Sequence, residues 1–396
     1  MIATARKAGA IQGLTLAVAS FLPVIAIVSL APAVPSLIGH FGKDPRAGQL
    51  IPLIVTAPGL MIALFSPLAG WVTDRIGRRQ LLLWSTFFYG FFGLAPIFLN
   101  DIATIFATRL GVGLSEAGIL TVTNALIADY FEVKERRFWL TVQGIMGPIF
   151  GALVIASSGA LTETMWNGCF LIYGIAFLVF LSMLFFMFEP THKAGSGAGE
   201  VEPPSGAFPW AKVAGFSAVT LFSSIIYYVY IVNGGLAFQS VGVTSPSQIG
   251  AAMSFASIGV FVGGGLFGFL SRRLPSNLLI ALFLLLLGAG LSGIGLARTL
   301  WTMEAAALVQ QLGAGMAVVT LIFWVSLLIA PEHRGRGMGF WSTAFFLGQF
   351  ISPAIVGALH SASSNVLPSF LALGVVSLVG GAAALLPWGR ILAAKK

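Results

Sequence analysis

The stretch IQGLTLAVASFLPVIAIVSL, residues 11–30, contains no charged residue over 20 positions. About 20 apolar residues in a helix are enough to cross the hydrocarbon core of a bilayer. Arg6 and Lys7 precede the run, as basic residues precede a signal peptide, and the sequence APA that follows resembles a cleavage site. The run is longer than the apolar region of a signal peptide, so we expect an uncleaved first membrane helix.

Runs of this kind recur along the whole chain. Hydrophobic residues make up 57% of the 396 residues and charged residues 9%, whereas soluble proteins carry about 25% charged residues. Polar side chains are therefore too few to cover a water-exposed surface, which excludes a soluble globular protein. We predict an all-α integral membrane protein with twelve crossings, centred near Val24, Gly59, Tyr89, Ser115, Ile149, Ala176, Tyr227, Gly259, Leu285, Ala314, Leu347 and Val376.

The basic residues test this topology, because Lys and Arg are enriched in the cytoplasmic loops of membrane proteins. The predicted helices leave Lys43, Arg46 and Arg298 in loops on one side, and Arg109 within a helix. The other 17 of the 21 basic residues lie on the side of the termini. We therefore expect a multi-pass protein of the inner (cytoplasmic) membrane with both termini in the cytoplasm. This orientation explains the net charge of +8 without a nucleic-acid partner.

The segment 190–212 interrupts the apolar pattern. It is rich in Gly, Pro and Ser and cannot bury enough apolar surface to order itself. We expect it to be a cytoplasmic linker between an N-terminal six-helix bundle, residues 1–189, and a C-terminal six-helix bundle, residues 213–396.

The two predicted bundles repeat each other in sequence. GWVTDRI, from Gly70, recurs as GFLSRRL, from Gly268, and RLGVG, from Arg109, recurs as QLGAG, from Gln311. A duplicated six-helix unit favours a transporter whose substrate site lies between the halves at mid-depth.

Three motifs carry a resemblance to a known family. GWVTDRIGRR, residues 70–79, resembles the loop 2–3 signature of the major facilitator superfamily, and RLGVGLSEAG, residues 109–118, resembles its helix 4 arginine motif, with Val112 where glutamine is usual. GIMGPIFGAL, residues 144–153, is similar to the helix 5 signature of the antiporters, especially the drug/proton exporters. The resemblance implies the major facilitator fold of two pseudo-symmetric bundles, and secondary transport by alternating access rather than an enzyme.

The loop 2–3 motif is expected to act as a conformational latch. One acid, Asp74, stands among several arginines, and a carboxylate there can cap a helix or pair with an arginine of loop 4–5. The resemblance implies that this contact stabilises the outward-facing state, and the alternative is that the arginines only enforce topology. The latch candidates are Gly70, Asp74, Arg75, Gly77, Arg78, Arg79, Asp129 and Arg136.

Arg109 and Glu116 are the predicted proton-coupling residues. They lie seven residues apart, on one face of predicted helix 4, with a rise of roughly 10 Å between them. An ionisable residue in a membrane helix is costly unless it faces the protein interior, and it usually has a function. Glu116 is the only acid that the predicted topology places deep in the membrane. The alternative is a static structural pair.

The resemblance implies that helices 1, 4, 7 and 10 line the substrate cavity, with helices 5 and 11 within reach. The polar and aromatic side chains there suit a small amphipathic or aromatic compound better than a sugar or a polyanion. The predicted substrate-binding residues are Asn124, Gln143, Tyr227, Tyr228, Tyr230, Asn233, Gln310, Gln311, Trp324 and Gln349.

Helix 5 carries a predicted helix-packing motif, consisting of Gly144, Gly147, Pro148 and Gly151. Its glycines form a smooth stripe that can pack closely against the glycine-rich helix 8 and seal one side of the cavity. Ordinary packing between neighbouring helices is the alternative.

We expect neither a cofactor nor a metal, because the chain has one cysteine and its four histidines lie in different loops and helix ends. The expected partners are a small-molecule substrate, protons and membrane lipid, and the expected oligomeric state is a monomer. Export of the substrate is the expected direction. One alternative is a proton symporter that imports an organic anion, with Arg109 binding the carboxylate. Another is a transport-dead sensor or lipid-handling protein on the same fold.

Overall fold

The computed structural model describes residues 8–190, 208–330, 333–360 and 365–385, without the side chains of Pro67, Gly70, Trp71, Asp74 and Val133. In these ranges twelve helices are long and apolar enough to cross a membrane. They are α1 Ala10–His40, α2 Ala47–Ile76, α3 Arg78–Phe98, α4 Ile102–Tyr130, α5 Val133–Thr164, α6 Gly168–Phe186, α7 Trp210–Ser240, α8 Pro246–Leu270, α9 Ser276–Leu296, α10 Leu300–Leu328, α11 Arg334–His360 and α12 Leu367–Leu385.

Each predicted centre lies in a different one of these helices, so the all-α membrane fold is confirmed. Helix α7 begins at Trp210, slightly before the predicted end of the linker. Most of the linker, residues 191–207, and both chain ends lie outside the described residues.

The helices pack in two groups, α1–α6 and α7–α12, which meet where α2 contacts α11 and α5 contacts α8. Successive helices run in opposite directions, so the basic loops predicted to share one side lie at one end of the molecule. We call this the basic end, which carries Arg78, Arg136 and Arg334, and we call the other the opposite end.

The two groups are in close contact at the opposite end. Gly159 of α5 crosses Gly250 of α8 so closely that a Cβ added to Gly159 would lie 2.9 Å from the Gly250 Cα. Gly235 of α7 lies against α1, where an added Cβ would be 2.7 Å from the Ala31 carbonyl oxygen. Only glycine permits this backbone approach, so these contacts close the opposite end.

The two groups separate toward the basic end, because α5 packs mainly against the part of α8 at the opposite end, Pro246–Ala256, and little against Ile258–Leu270. The predicted glycine contact with α8 is not formed in this structure. A Cβ added to Gly144 would meet nothing within 4 Å, whereas Gly147 and Gly151 face Phe21 and Val24 of α1. Contact between the helix-packing motif and α8 stays a prediction for a state in which the basic end is closed.

Helix α1 is broken into segments because prolines cannot donate a backbone hydrogen bond. The segments are Ala10–Ala19, Leu22–Val28, a 3-10 turn at Ala31–Ala33, and Val34–His40. At the second break the Leu30 N–H donates to the Ile27 oxygen at 3.3 Å. The Ala26 oxygen, which Leu30 would bind in a regular helix, is therefore available to another helix.

We expect Gly263→Ala to lower the thermal unfolding temperature of the purified protein. A Cβ on Gly263 of α8 would overlap the Leu312 carbonyl oxygen of α10, and overpacking of this kind costs about 1 to 3 kcal/mol. Gly265→Ala is the matched control, because a Cβ there meets nothing within 4 Å and alanine is the better helix former. Equal unfolding temperatures for the two variants would contradict this packing.

Candidate functional site

Arg109 of α4 is completely buried. Its Nη2 donates to the Ala26 carbonyl oxygen at 2.9 Å and to the Tyr173 hydroxyl at 2.6 Å. The Tyr173 hydroxyl in turn donates to the same Ala26 oxygen at 3.1 Å, and the guanidinium carbon lies 5.0 Å from the centre of the Tyr173 ring. Arg109 is therefore held by the backbone of α1 and by a side chain of α6.

Other helices bind the broken helix α1 in the same way. Tyr89 of α3 donates to the Leu22 carbonyl oxygen, and Ser158 of α5 donates to the Ser29 carbonyl oxygen beside the 3-10 turn. Side chains from α3, α4, α5 and α6 thus satisfy carbonyl groups of α1, which leaves α1 fixed at the centre of its group.

Glu116 lies two turns further along α4 and is 1% exposed. Its Oε1 is buried and has no hydrogen-bond partner among the described residues. Within the same part of the chain no ion pair joins Glu116 to Arg109, although Arg109 is close enough to act on it electrostatically. The structure therefore places a carboxyl group in the protein interior without a direct counter-ion.

An aromatic cluster on α7 and α11, in the other helix group, is made of Tyr227, Tyr228, Trp341 and Phe345. Tyr228 lies within electrostatic range of Glu116. Ring centroids are 4.8 Å apart for Tyr227 and Tyr228, 5.6 Å for Tyr228 and Phe345, and 5.3 Å for Trp341 and Phe345. The carboxyl of one helix group and the aromatic cluster of the other therefore interact across the boundary between the groups through Tyr228.

The predicted substrate-binding residues do not all lie at this boundary. Gln349 of α11 does, because a Cβ added to Gly59 of α2 would lie 2.8 Å from its Cδ. Gln310 instead packs against Gly290 of α9, inside its own group. The remaining members comprise the buried Tyr228, Tyr230, Asn233, Gln311 and Trp324, the half-buried Tyr227 and Gln143, and the exposed Asn124.

Several residues of the site were not predicted from the sequence. No motif marks Tyr173, Trp341 or Phe345, and the last is one of 33 phenylalanines. Glu304 of α10, which has a buried and unpartnered oxygen within the described structure, is also absent from the predicted site residues. The sequence does single it out, since it is the only acid between Glu202 and Glu332.

The arginines of the predicted latch are bound within α1–α6. Gly77 adopts a φ of +90°, as the predicted tight turn requires. Arg78 pairs with Asp129 of α4, and Arg79 donates at 2.8 and 3.0 Å to two carbonyl oxygens near the end of α6. Glu189 accepts from the backbone N–H groups of Arg78 and Arg79 at 2.8 and 2.9 Å, which caps α3.

The Asp74 side chain lies outside the described residues. Of its two preferred partners, Asp129 is paired with Arg78, and the Arg136 Nη2 donates to the Ala128 carbonyl oxygen at 3.0 Å. The Asp74 latch therefore stays a prediction for a closed basic end.

Glu163 of α5 joins the two helix groups at the opposite end. Its Oε2 accepts from the Ser245 hydroxyl at 2.7 Å and from the Ser247 backbone N–H at 3.0 Å. Helix α8 begins at Pro246, so the carboxylate lies at a helix N-terminus, where the helix dipole favours a negative charge. This contact bridges the groups only while the opposite end is closed.

We expect Arg109→Lys to lower the thermal unfolding temperature. Lysine keeps the charge but loses the planar group that donates to both Ala26 and Tyr173, and an unsatisfied buried polar group costs about 1 to 3 kcal/mol. Arg298→Lys, in the exposed loop before α10, is the matched control. If the two variants unfold at the same temperature, the guanidinium geometry of Arg109 is not a stabilising feature.

We expect Glu163→Ala to increase the population in which the opposite end is open, because it removes a contact that exists only in the closed arrangement. Distances between spin labels on the opposite-end loops of the two groups would measure this. Asp101→Ala is the control, since Asp101 at the same end caps its own helix by accepting from the Thr104 N–H at 2.8 Å. An unchanged distance distribution in Glu163→Ala would contradict the bridging role.

Comparisons with known proteins agree with this architecture. The family model described as Major Facilitator Superfamily matches residues 16–244 and 213–391. The chain is 25% identical over 371 residues to the tetracycline resistance protein, class E, of Escherichia coli, covering 87% of this chain and 86% of the relative. It is 23% identical over 376 residues to the quinolone resistance protein NorA of Staphylococcus aureus (strain COL), covering 91% and 92%.

Among solved structures, a variant of the nucleoside transporter NupG superposes with a TM-score of 0.76 at 15% identity, covering 95% of this chain and all of that chain. The match to the family model and to drug-resistance proteins confirms the resemblance that the three motifs predicted. The chain therefore belongs to the Major Facilitator Superfamily, and it is a multi-pass membrane transporter of small molecules rather than an enzyme.

Proposed function

We propose that this protein is a proton-coupled transporter that exports a small amphipathic or aromatic compound by alternating access. The observation that carries the proposal is the buried Glu116 carboxyl, which lies within electrostatic range of Tyr228 in the aromatic cluster of the other helix group. A charged carboxylate without a direct counter-ion is costly in a membrane interior, and a bound proton removes that charge. Glu116 can thus take up or release a proton as its surroundings change between states.

Arg109 connects this carboxyl to the moving parts of the molecule. It binds the Ala26 carbonyl of α1, and α1 also contacts α7 of the other group through Ala31 and Gly235. A rearrangement at that contact can therefore change the position of the Arg109 charge relative to Glu116, which would alter the free energy of protonating Glu116.

The aromatic cluster supports an aromatic ligand, because stacked or edge-on ring contacts contribute beyond the burial of apolar area. Gln349 is fully buried, and neither of its polar side-chain atoms has a hydrogen-bond partner within the described structure. Because it lies between the groups and not inside one of them, separation of the groups can expose it to a polar group of a ligand. Two relatives are named for resistance to tetracycline and to quinolones. These two compound classes are therefore the first substrates to test.

The orientation and gating follow from the charge distribution. We propose that the basic end faces the cytoplasm in the inner membrane, with both termini on that side, and that the protein works as a monomer. In this scheme Asp74 closes the basic end and Glu163 closes the opposite end, so that each contact stabilises a different state.

The rival function, import of an organic anion, requires Arg109 to bind the substrate carboxylate. Arg109 is 0% exposed and its Nη2 already has two partners. Its Nε and Nη1 are unpartnered within the described structure but enclosed. A substrate would have to reach an arginine that the protein surrounds on all sides, which favours export over this alternative.

We expect Glu116→Gln to abolish substrate accumulation driven by a pH gradient while leaving exchange of labelled substrate across the membrane, because glutamine mimics the protonated, neutral carboxyl. The measurement uses proteoliposomes with tetracycline, a quinolone and an aromatic carboxylate as separate probes. Asp44→Asn is the control, since Asp44 lies in a loop and pairs with Arg46 at 3.0 Å.

Accumulation by Glu116→Gln equal to that of the parent would exclude Glu116 as the coupling residue. Accumulation of the aromatic carboxylate alone, lost in Arg109→Lys, would support the anion symporter instead.

A further inference from the structure

Glu304 is chemically isolated in the second group of helices. Within α7–α12 the described segments contain no other Asp or Glu. It is the fifth residue of α10, which begins at Leu300, so it lies roughly 6 Å along the helix axis from the opposite end.

The Glu304 carboxyl has no partner within the described structure. Its Oε2 has no accessible surface and no hydrogen bond, while the side chain as a whole is half-buried. Tyr230 of α7 is 0% exposed, and its hydroxyl also lacks a hydrogen-bond partner there. The two groups are close enough to interact electrostatically. One unsatisfied polar group from each of two packed helices thus lies within electrostatic range of the other, with no hydrogen bond between them.

No ion pair within the described structure balances the carboxyl. The packed helices α8 and α9 contain no charged residue or histidine, and α7 contains only Lys212 near the basic end. Helix α11, which also packs against α10, carries Arg334 and Arg336 near the basic end and His360 at the opposite end. The nearest basic residue along the chain is Arg298, which is exposed in the loop before α10. The negative charge of an ionised, partly desolvated Glu304 would have no cation beside it among the described residues to balance it. A bound proton is the simplest ligand that neutralises this charge.

We propose that Glu304 is a second exchangeable proton-binding site, with the Tyr230 hydroxyl as its hydrogen-bonding neighbour. Protonation converts the carboxylate into a neutral acid that carries its own O–H donor, which can bond to Tyr230 after a side-chain rotation. Because the carboxyl is half-buried one turn from the opposite end, it can exchange its proton with the medium on that side.

This site differs from Glu116 in position and surroundings. Glu116 lies in α1–α6 and interacts with Arg109, whereas Glu304 lies in α7–α12 near the opposite end. If the proposed proton coupling holds, a second proton per cycle makes the steady-state accumulation ratio about tenfold larger for each pH unit of gradient, since each 1.4 kcal/mol corresponds to a factor of ten. Glu304→Gln would remove that factor.

The decisive experiment does not depend on transport. Infrared difference spectra of the reconstituted parent, recorded during a pH titration in the absence of substrate, report protonated carboxyl groups through their C=O stretch. We expect a titrating carboxyl band that is absent in Glu304→Gln, is retained in Glu304→Asp, and shifts in frequency in Tyr230→Phe because the hydrogen-bonding neighbour is lost. A purely structural role for Tyr230 would not move the band.

Asp44→Asn is the matched control. Hydrogen bonds from Arg46 hold the pKa of the Asp44 carboxyl below its ordinary value, so this acid is ionised near neutral pH and its removal should leave the band unchanged. Parent and Glu304→Gln spectra that coincide over the whole titration would overturn the proposal, and so would a Glu304 band that never titrates. Loss of the Glu304 band together with normal coupling in Glu116→Gln would refute the role of Glu116 but not the second site.

Discussion

The carbonyl oxygens that become available where α1 is interrupted determine how the first six helices are arranged. In a membrane a backbone carbonyl without a donor costs several kcal/mol, so the Ala26 and Ser29 oxygens need donors from other helices. Arg109, Tyr173 and Ser158 provide them, and a charged donor forms the stronger bond. Helices α4, α5 and α6 are thereby fixed to α1, and the group can move as one body.

The contacts between α1–α6 and α7–α12 differ from the hydrogen bonds that hold α1 within its own group. At the opposite end Gly159 and Gly250 touch through bare backbone, which gives van der Waals contact without directional bonds, and Glu163 adds hydrogen bonds to the start of α8. The latch arginines Arg78 and Arg79 are meanwhile bound inside their own group. Ser254 and Thr343 also donate across the boundary, to the Ala152 and Ala63 carbonyl oxygens. Hydrogen bonds between the groups are therefore few within the described residues, and a small difference in binding free energy can shift the equilibrium between states.

The sequence predicts the twelve helices because the bilayer requires long apolar segments with internally satisfied backbones. It also points to Arg109 and Glu116, since ionisable residues are rare in such segments. It cannot show that Arg109 binds a carbonyl of α1, because that bond depends on where the helix breaks in three dimensions. Nor can composition show which of the 9 tryptophans and 33 phenylalanines belong to the aromatic cluster, as Trp341 and Phe345 do. The roles of Arg109, Trp341 and Phe345 depend on their contacts with neighbouring helices, and hydropathy does not encode those contacts.

The internal repeat preserves packing but not charge. RLGVG of α4 and QLGAG of α10 end in Gly113 and Gly315, and each glycine lies directly against a backbone carbonyl, that of Pro58 in α2 and that of Val260 in α8. Close helix crossings therefore recur at equivalent places in both groups. Arg109, by contrast, is replaced by a glutamine, and the acids Glu116 and Glu304 occupy different depths of α4 and α10. A duplicated scaffold fixes which helices meet, whereas the chemistry at each meeting point depends on individual side chains. A proton-binding residue in one half consequently cannot be assigned from the other half by symmetry.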